Sequence, residues 1–505
     1  MNIFPLLLNT KSFKRYFETN QIYLGGSCDD FNMMMLACDF YRGVSSIFVV
    51  LPNLYMAQKY YDGLLGFVSE EDVLFFPSDE LISAAMVAAT GDFLFERVQT
   101  IFSLVKKEKK IIVMNLHGAI KYEFPKEVWM ESIFTLQKGM TMDIFALTDR
   151  LVKIGYEPVF TITKTGEYAR RGSIVDIFPL GFEKPIRLDF FGDEIDTIKF
   201  FDMETQRSSK ETKECLILPV TEFIYSEKEF PEAKKKIMSF MDKYSLSTIE
   251  QEQLNKDLFS LEEHQNLNQL SRYFQFFNSD LKTLFDFVEL KRIYVIDPAK
   301  EKEMYEQLRL DVTEYCGRIG GYSLIDMQLY ADIASIFAQA NIKIEGLRYF
   351  GKVDENIHVK EVTAYKAKEK EIIADFKRNQ NNKYIIFSYT NEERFKRLLE
   401  ACLEEHIFLV KVDSLDKIEY GQINCIYGNY PAFDWIKEEC IFLNEAALFE
   451  TTYTPRKARY KSIYKNAIKI SKYDELEVGD YVVHYDYGIG KYLGMKTMES
   501  EVGPH

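Results

Sequence analysis

The regular alternation of short apolar runs with helical stretches in the first 124 residues constrains the fold most strongly. The apolar runs are QIYL at 21–24, SSIFVVL at 45–51, DVLFF at 72–76 and KIIVM at 110–114. Strands separated by helices need crossover connections, which place the strands parallel in one sheet that has helices on both faces. We therefore predict a parallel α/β unit over residues 1–124.

The period of the apolar residues becomes two between residues 125 and 215. In the run IRLDFF, the residues at 186, 188 and 190 point to one face of a strand and those at 187, 189 and 191 to the other. A Gly192-Asp193 turn leads into a second alternating run, IDTIKFF, as in a hairpin. This pattern predicts an antiparallel, half-exposed sheet on which Arg187 and Phe191 share the polar face.

The rest of the chain divides into four further segments. Residues 216–345 are mainly helical around an apolar strand at 292–298 and are predicted to complete the first unit. Residues 346–452 place a helix, opened by a capping box at Thr390-Asn391-Glu392-Glu393, between strands at 384–387 and 407–412. A basic linker at 453–472 precedes β-rich residues 473–505.

These segments together predict a multidomain α/β fold. Its parts are a degenerate P-loop-like parallel sheet, an antiparallel α+β insert, a small Rossmann-like unit and a partial SH3/tudor-like β barrel. A chain of 505 residues is long enough for several hydrophobic cores of ordinary size.

Composition narrows the classes of partner and compartment. The net charge of −15 opposes broad contact with a nucleic-acid backbone, so DNA is expected to bind weakly at most. No apolar stretch approaches the length that crosses a bilayer, and the seven cysteines are scattered without metal-ligand spacing. These features predict a cytoplasmic protein with reduced thiols.

The segment 455–472 holds seven basic and no acidic residues. A solvated linker is the favoured interpretation of this segment, and nucleic-acid binding stays open as the alternative.

The loop after the first predicted strand lies where a nucleotide-binding loop would lie. It reads LGGSCDDFN, so Gly25, Gly26 and Ser27 can form a turn, and Asp29 is predicted to cap the following helix. No lysine follows the glycines, and Asp29 and Asp30 place negative charge where phosphates would bind. We expect a degenerate loop, no ATP hydrolysis and no cofactor.

The six histidines are far apart and show no metal-binding or catalytic spacing, so no metal site or catalytic residue is predicted.

Two motifs carry a resemblance to a known family. The stretch GEYARRGSIVDIFPLGFEKPIRLDFFGDEIDTIKFFDMETQRS at 166–208 resembles UvrB and the bacterial transcription-repair coupling factor (Mfd) family. The segment 476–499 resembles the start of the CarD-like RNA-polymerase-interacting domain of that family. Both motifs in this order, behind a degenerate loop, are typical of Mfd and not of UvrB.

The resemblance implies two docking surfaces. Arg171, Arg187 and Phe191 match the positions with which the family docks UvrA. Gly494, Met498 and Glu499 match a strand edge that pairs with the RNA polymerase β subunit. In the family a translocase motor and a domain that masks the UvrA face follow. For this chain the resemblance thus implies no motor, an open UvrA face, a partly ordered 473–505 segment and weak or lost polymerase binding.

Three function classes follow. The first is a non-catalytic module that recruits UvrA in transcription-coupled nucleotide excision repair. The second is a UvrB-like or helicase-type ATPase acting on damaged DNA, which the missing lysine disfavours. The third is a transcription regulator acting through the CarD-like segment alone, which the shortness of that segment disfavours.

Overall fold

A computed structural model describes residues 7–445 of the chain, except 79–92, 204, 279, 320–326, 348, 363–368, 414–416 and 429, together with four short strands beyond residue 480. The chain forms two compact units, Met1–Tyr453 and Thr454–His505.

Helices and strands are numbered in chain order within the described residues. The helices are α1 (Lys11–Glu18), α2 (Asp29–Arg42), α3 (Leu54–Leu64), α4 (Leu94–Val105), α5 (Leu116–Ala119), α6 (Lys126–Ser132), α7 (Ile144–Lys153), α8 (Phe230–Met241), α9 (Thr248–Glu262), α10 (Phe274–Phe277), α11 (Pro298–Ile319), α12 (Ile333–Gln339), α13 (Glu369–Asn379) and α14 (Glu392–Glu404). The strands up to the end of the insert are β1 (Ile22–Ser27), β2 (Ser46–Leu51), β3 (Val73–Phe76), β4 (Ile111–Asn115), β5 (Tyr122–Glu123), β6 (Phe134–Gln137), β7 (Glu157–Pro158), β8 (Glu167–Arg171), β9 (Ile174–Ile177), β10 (Ile186–Phe191), β11 (Glu194–Phe201), β12 (Ser208–Thr212) and β13 (Glu214–Ile217). The later strands are β14 (Lys282–Thr283), β15 (Lys291–Ile296), β16 (Ile342–Gly346), β17 (Glu355–Asn356), β18 (Val359–Glu361), β19 (Tyr384–Tyr389), β20 (Leu409–Val412), β21 (Ile423–Tyr427), β22 (Phe433–Trp435), β23 (Cys440–Asn444), β24 (Tyr481–His484), β25 (Gly488–Lys491), β26 (Glu499–Ser500) and β27 (Gly503–Pro504).

Seven strands form the parallel sheet, in the order β17, β1, β16, β15, β2, β4, β3. Every neighbouring pair in it is parallel, as the alternation of strands and helices predicts. Alternate residues of β2 enter different cores: Phe48 and Val50 belong to one, and Val49 and Leu51 to the other. The sheet is therefore covered on both faces, and the strand predicted at 292–298 lies in it as β15.

A sheet that is antiparallel except for the parallel pair of β7 and β8 is inserted between β4 and β15. Its order is β12, β11, β10, β9, β8, β7, and a separate β6–β13 pair lies beside it. The inner face places Val175, Ile186 and Leu188 in the same core as Phe48 and Val50 of the parallel sheet. The insert is thus anchored to the rest of the unit through its inner face.

The predicted alternation holds in β10 and fails in β11. In β10 the residues at 186, 188 and 190 are buried, and Phe191 on the other face is exposed. In β11 the buried residues are Ile195 and Ile198, which lie in the same core as β10, and Phe201, which lies in a small cluster on the other face. The prediction of strict alternation there is wrong because Asp196 is an extra residue: Asp189 pairs with Thr197, while the next residue of β10 pairs with Ile195.

A second α/β sheet follows, in the order β18, β22, β23, β19, β21, β20. This sheet packs against α2 of the parallel sheet's layer. There the ring of Phe31 lies 5.3 Å from the ring of Phe433 and 4.8 Å from that of Trp435. The predicted capping box at 390–393 is wrong in its first residue. Asn391 caps α14 by accepting from the amides of Glu393 and Arg394, since the Thr390 hydroxyl and amide bind another acceptor, Glu445.

Beyond residue 480 the described residues form two hairpins, β24 with β25 and β26 with β27. The basic segment 455–472 and the predicted barrel's other residues lie outside the described part. The side chains of Cys28, Cys38, Cys215, Cys402, Cys425 and Cys440 are buried. Among the described helices none has the length and apolar character to span a bilayer.

Candidate protein-docking face

Two hairpin turns lie side by side at one end of the antiparallel sheet. The β8–β9 turn is Gly172-Ser173 and the β10–β11 turn is Gly192-Asp193, and the amide of Phe190 donates to the carbonyl of Ser173 at 2.9 Å. Gly172 and Gly192 have φ of +61° and +62°, and a Cβ at either position would meet nothing within 4 Å. Glycine is therefore required by the backbone of these turns and not by close packing.

The strand register places the three predicted UvrA-docking residues on one face. Arg171 lies opposite Ile174, which in turn lies opposite Asp189. Phe191 is two residues beyond Asp189 on β10 and therefore shares its face, as does Arg187 on the other side. We call Arg171, Ile174, Asp189 and Phe191 the docking face. Arg187 lies about 13 Å from Phe191 along the strand.

Phe191 is the exposed aromatic of the docking face. Its side chain is 84% exposed, while Phe190, which points to the inner face, is buried. The last residue before the turn thus presents its ring to solvent, as the alternation of β10 predicts.

Arg187 is far less accessible than an exposed polar face implies. Its Nε and Nη2 donate to both carboxylate oxygens of Asp176, at 2.7 and 2.9 Å, and its Nη1 donates to the carbonyl of Gln206 at 3.3 Å. Only 17% of the Arg187 side chain and 4% of the Asp176 side chain are exposed. The hydrogen bond that Arg187 donates to Asp176 raises the pKa of the guanidinium above its usual value. The guanidinium therefore links β10 to β9 through Asp176.

Arg171 is exposed and holds a neighbouring loop. Its Nη2 donates to the carbonyl of Phe160 at 2.7 Å and to the hydroxyl of Thr161 at 3.2 Å. Its guanidinium carbon lies 5.1 Å from the centre of the Phe160 ring, which is 88% exposed. The arginine thus joins the docking face to a second exposed aromatic ring.

Sequence reasoning missed Asp176 and Phe160, the partners of the two arginines. Asp176 is the only acid of the run IVDI, which makes it a candidate partner, but its pairing with Arg187 depends on the register of β9 against β10. Phe160 lies in a segment without a period of two or 3.6, and the sequence holds no signal for its exposure.

The degenerate loop forms the end of a strand instead of a separate turn. Gly25, Gly26 and Ser27 are the last residues of β1. A Cβ at Gly26, where φ is +70°, would lie 2.5 Å from Oδ1 of Asn356, and one at Gly25 would lie 3.1 Å from Val353. Side chains from 353–356 thus crowd the glycine backbone that would have to cradle a phosphate.

The polar groups around this loop bind one another. The Ser27 hydroxyl donates to Asn32 at 2.6 Å, the Asn32 amide donates to the hydroxyl of Tyr60 at 2.9 Å, and that hydroxyl donates to Asp29 at 2.9 Å. Lys59 of α3 lies 2.5 Å from Asp29. Burial opposes its charge, but Asp29 outweighs this and raises the pKa of Lys59. The lysine near the loop is therefore already paired.

The second acid of the loop contacts the small α/β sheet. The amide of Ala432 donates to Asp30 at 3.0 Å, and burial raises the pKa of Asp30. The prediction that Asp29 caps α2 is wrong: Cys28 occupies the capping position without a side-chain hydrogen bond, and Asp29 is the first helical residue. The first turn of α2 thus presents two acidic side chains where a phosphate would have to bind.

The predicted polymerase-binding residues fall at the chain's end. Gly494 and Met498 lie outside the described residues, and Glu499 is the first residue of β26, opposite Pro504. Within the described part of the chain, no group of three or more acidic, histidine or cysteine side chains is arranged to hold a metal ion.

Comparison with known families matches two segments of the chain. Residues 134–223 match the UvrB interaction domain, a range that contains the docking face. Residues 476–504 match the CarD-like/TRCF RID domain.

Curated relatives cover nearly the whole chain. It is 28% identical over 477 residues to the transcription-repair-coupling factor of Bacillus subtilis, covering 90% of this chain and 40% of the relative. The factors of Staphylococcus epidermidis and Staphylococcus aureus are 25% and 26% identical, covering 96% and 97% of this chain and 43% and 44% of those proteins. The chain resembles transcription-repair-coupling factors. The resemblance predicted from the sequence is confirmed, and the chain spans about two fifths of the length of these transcription-repair-coupling factors.

We expect Arg187→Ala to destabilise the antiparallel sheet of this chain by about 3 kcal/mol, because it leaves the buried carboxylate of Asp176 without its cation. Lys199→Ala is the matched control. Lys199 pairs with Asp189 at 3.7 Å with about a third of each side chain exposed, so its loss should cost under about 1 kcal/mol. The urea dependence of hydrogen exchange in β8 to β11 measures both. Equal effects would contradict the structural role of Arg187.

We expect 1 mM Mg-ATP to leave the melting temperature unchanged. A site with a dissociation constant of 10 µM would add about 2.7 kcal/mol at this concentration and shift the transition by several degrees. Differential scanning fluorimetry with and without nucleotide, together with an assay of phosphate release, measures this. A shift of that size or any turnover would show that the chain binds nucleotide.

Proposed function

We propose that this chain is a non-catalytic recruitment module of a transcription-repair coupling factor, which docks UvrA for transcription-coupled nucleotide excision repair. The observation that carries the proposal is the 84% exposed ring of Phe191 at a hairpin end, inside the segment that matches the UvrB interaction domain. The partner is inferred from the family resemblance, and the surface from the described residues.

The composition of the docking face suits a protein partner. An exposed aromatic beside an arginine is typical of binding hot spots, since the ring buries a large apolar area and the guanidinium offers several donors in a fixed geometry. Phe191 and Arg171 combine these features on one face of a sheet whose other face is fixed in the core. The surface is thus organised before the partner binds, which lowers the entropy cost of binding.

The three family positions act differently in this proposal. Phe191 and Arg171 are exposed and available to UvrA. Arg187 acts mainly through Asp176, by fixing the register of β9 and β10 beneath the docking face. Its substitution should therefore weaken UvrA binding chiefly by loosening the sheet.

An ATPase function fits the loop poorly. The glycine backbone at 25–26 is crowded by Asn356 and Val353, and Lys59 is paired with Asp29. We propose that the parallel sheet is a degenerate P-loop-like unit and that the chain catalyses no reaction. The alternative, a UvrB-like or helicase-type ATPase on damaged DNA, predicts nucleotide binding that this arrangement opposes.

The UvrA proposal predicts that Phe191→Ala lowers affinity for purified UvrA about 30-fold, equivalent to about 2 kcal/mol, without changing the melting temperature. Phe145→Ala is the matched control. Its ring is 64% exposed on the opposite face of the same module, stacked under Arg170 at 3.7 Å. Biolayer interferometry on immobilised UvrA measures both. Affinity unchanged by Phe191→Ala would overturn the docking face.

We further propose that the segment 476–504, which matches the CarD-like domain, binds the RNA polymerase β subunit only weakly, by strand addition. The edge from Gly494 to Glu499 and the side chain of Met498 are the proposed contacts, assigned from the family resemblance alone.

Met498→Glu is expected to reduce capture of purified polymerase β subunit by the chain at least 10-fold, because a charge replaces an apolar contact. Lys496→Glu, a charge change in the same segment, serves as the control and should reduce capture less. A pull-down with titrated β subunit measures the difference. Capture insensitive to Met498→Glu would remove this residue from the proposed contact.

A further inference from the structure

We propose that Phe160 is a second aromatic anchor of the docking face and that Arg171 positions it. This inference rests on the proposed function, because it adds an anchor to the same protein-binding surface. No family position predicts it, and it follows from the contacts of the 159–162 loop.

Exposure singles out Phe160 first. Three phenylalanine rings among the described residues are more than 80% exposed: Phe350, Phe160 and Phe191. Two of the three lie on one module, near the same end of one sheet. A single exposed ring is ordinary, but a pair beside an arginine forms a surface that gains free energy when a partner covers it.

The loop that carries Phe160 is fixed on both sides of the ring. Ile162 is 3% exposed and packs with Ala169, Phe178 and Phe201 in a small cluster on the outer face of the sheet. Val159 packs against the same cluster, and its amide donates to the carbonyl of Tyr168 at 2.9 Å. The neighbours of Phe160 are thus held down while its own ring points outward.

Arg171 completes this arrangement. One nitrogen of its guanidinium binds the carbonyl of Phe160 and the hydroxyl of Thr161, and the planar group lies beside the ring. A lysine could supply a charge here but not the planar stacking surface. Arg171 therefore restricts the directions that Phe160 can take, which reduces the entropy that a partner must remove on binding.

The geometry indicates what the partner presents. The register measures how far apart the two rings are. Asp189, on the same face of β10 as Phe191, lies two strands from Arg171, which is about 10 Å across the sheet. Phe160 lies on the β7 side of Arg171. A partner that covers the face therefore needs two separate apolar sockets, one for each ring.

The test compares Phe160→Ala, Phe191→Ala and the double variant in binding to purified UvrA, with Phe145→Ala as control. Phe160→Ala is expected to weaken binding about 10-fold and leave the melting temperature unchanged, because the ring is almost fully exposed. Binding within twofold of the native chain for Phe160→Ala, with Phe191→Ala still weakened, would overturn this inference alone. Binding unaffected by either substitution would overturn the proposed function as well.

A double-mutant cycle separates positioning from direct contact. If Arg171 acts through Phe160, Arg171→Ala weakens binding in the native chain but adds little in a Phe160→Ala background. An equal loss in both backgrounds would show that Arg171 contacts the partner independently and would overturn its positioning role. Arg171→Lys should recover little of the loss, since lysine cannot stack on the ring.

Discussion

Val175, Ile186 and Leu188 on the inner face of the antiparallel sheet belong to the core that also contains Phe48 and Val50 of the parallel sheet. This burial fixes the register of the insert, because a shift of one residue in β10 would turn these side chains to solvent. Near the hairpin turns, the outer face of the sheet is not buried in this core. It can therefore carry exposed rings and charges without loss of the fold.

The two arginines of this face show how one residue type serves different purposes. Arg187 lies in a shielded, two-point ion pair with Asp176, where removing either partner would strand a charge. Arg171, sixteen residues earlier, is exposed, and its guanidinium donates to a backbone carbonyl and a hydroxyl. Because burial and geometry differ, substitution of the first should affect stability and substitution of the second should affect recognition.

Local patterns in the sequence predict the strands of the parallel sheet and the faces of β10, because alternation and crossover spacing are properties of consecutive residues. They fail where the outcome depends on distant residues. The bulge at Asp196 reflects pairing with β10, and the cap of α14 is Asn391 because Thr390 binds Glu445, more than fifty residues away. The face of β10 on which Arg187 lies was predictable. Its ion pair with Asp176 could be identified only from the register of β9 against β10. Phe160 could not be found, since exposure of a loop residue leaves no period.

The contact between α2 and the small α/β sheet has a mechanical consequence. Phe31 packs against Phe433 and Trp435, and Asp30 accepts the amide of Ala432, so the two sheets share apolar and polar links at one joint. The insert is tied to the parallel sheet through a common core in turn. A force applied to the small sheet therefore reaches the hairpin turns through α2 and the two cores on either side of the parallel sheet.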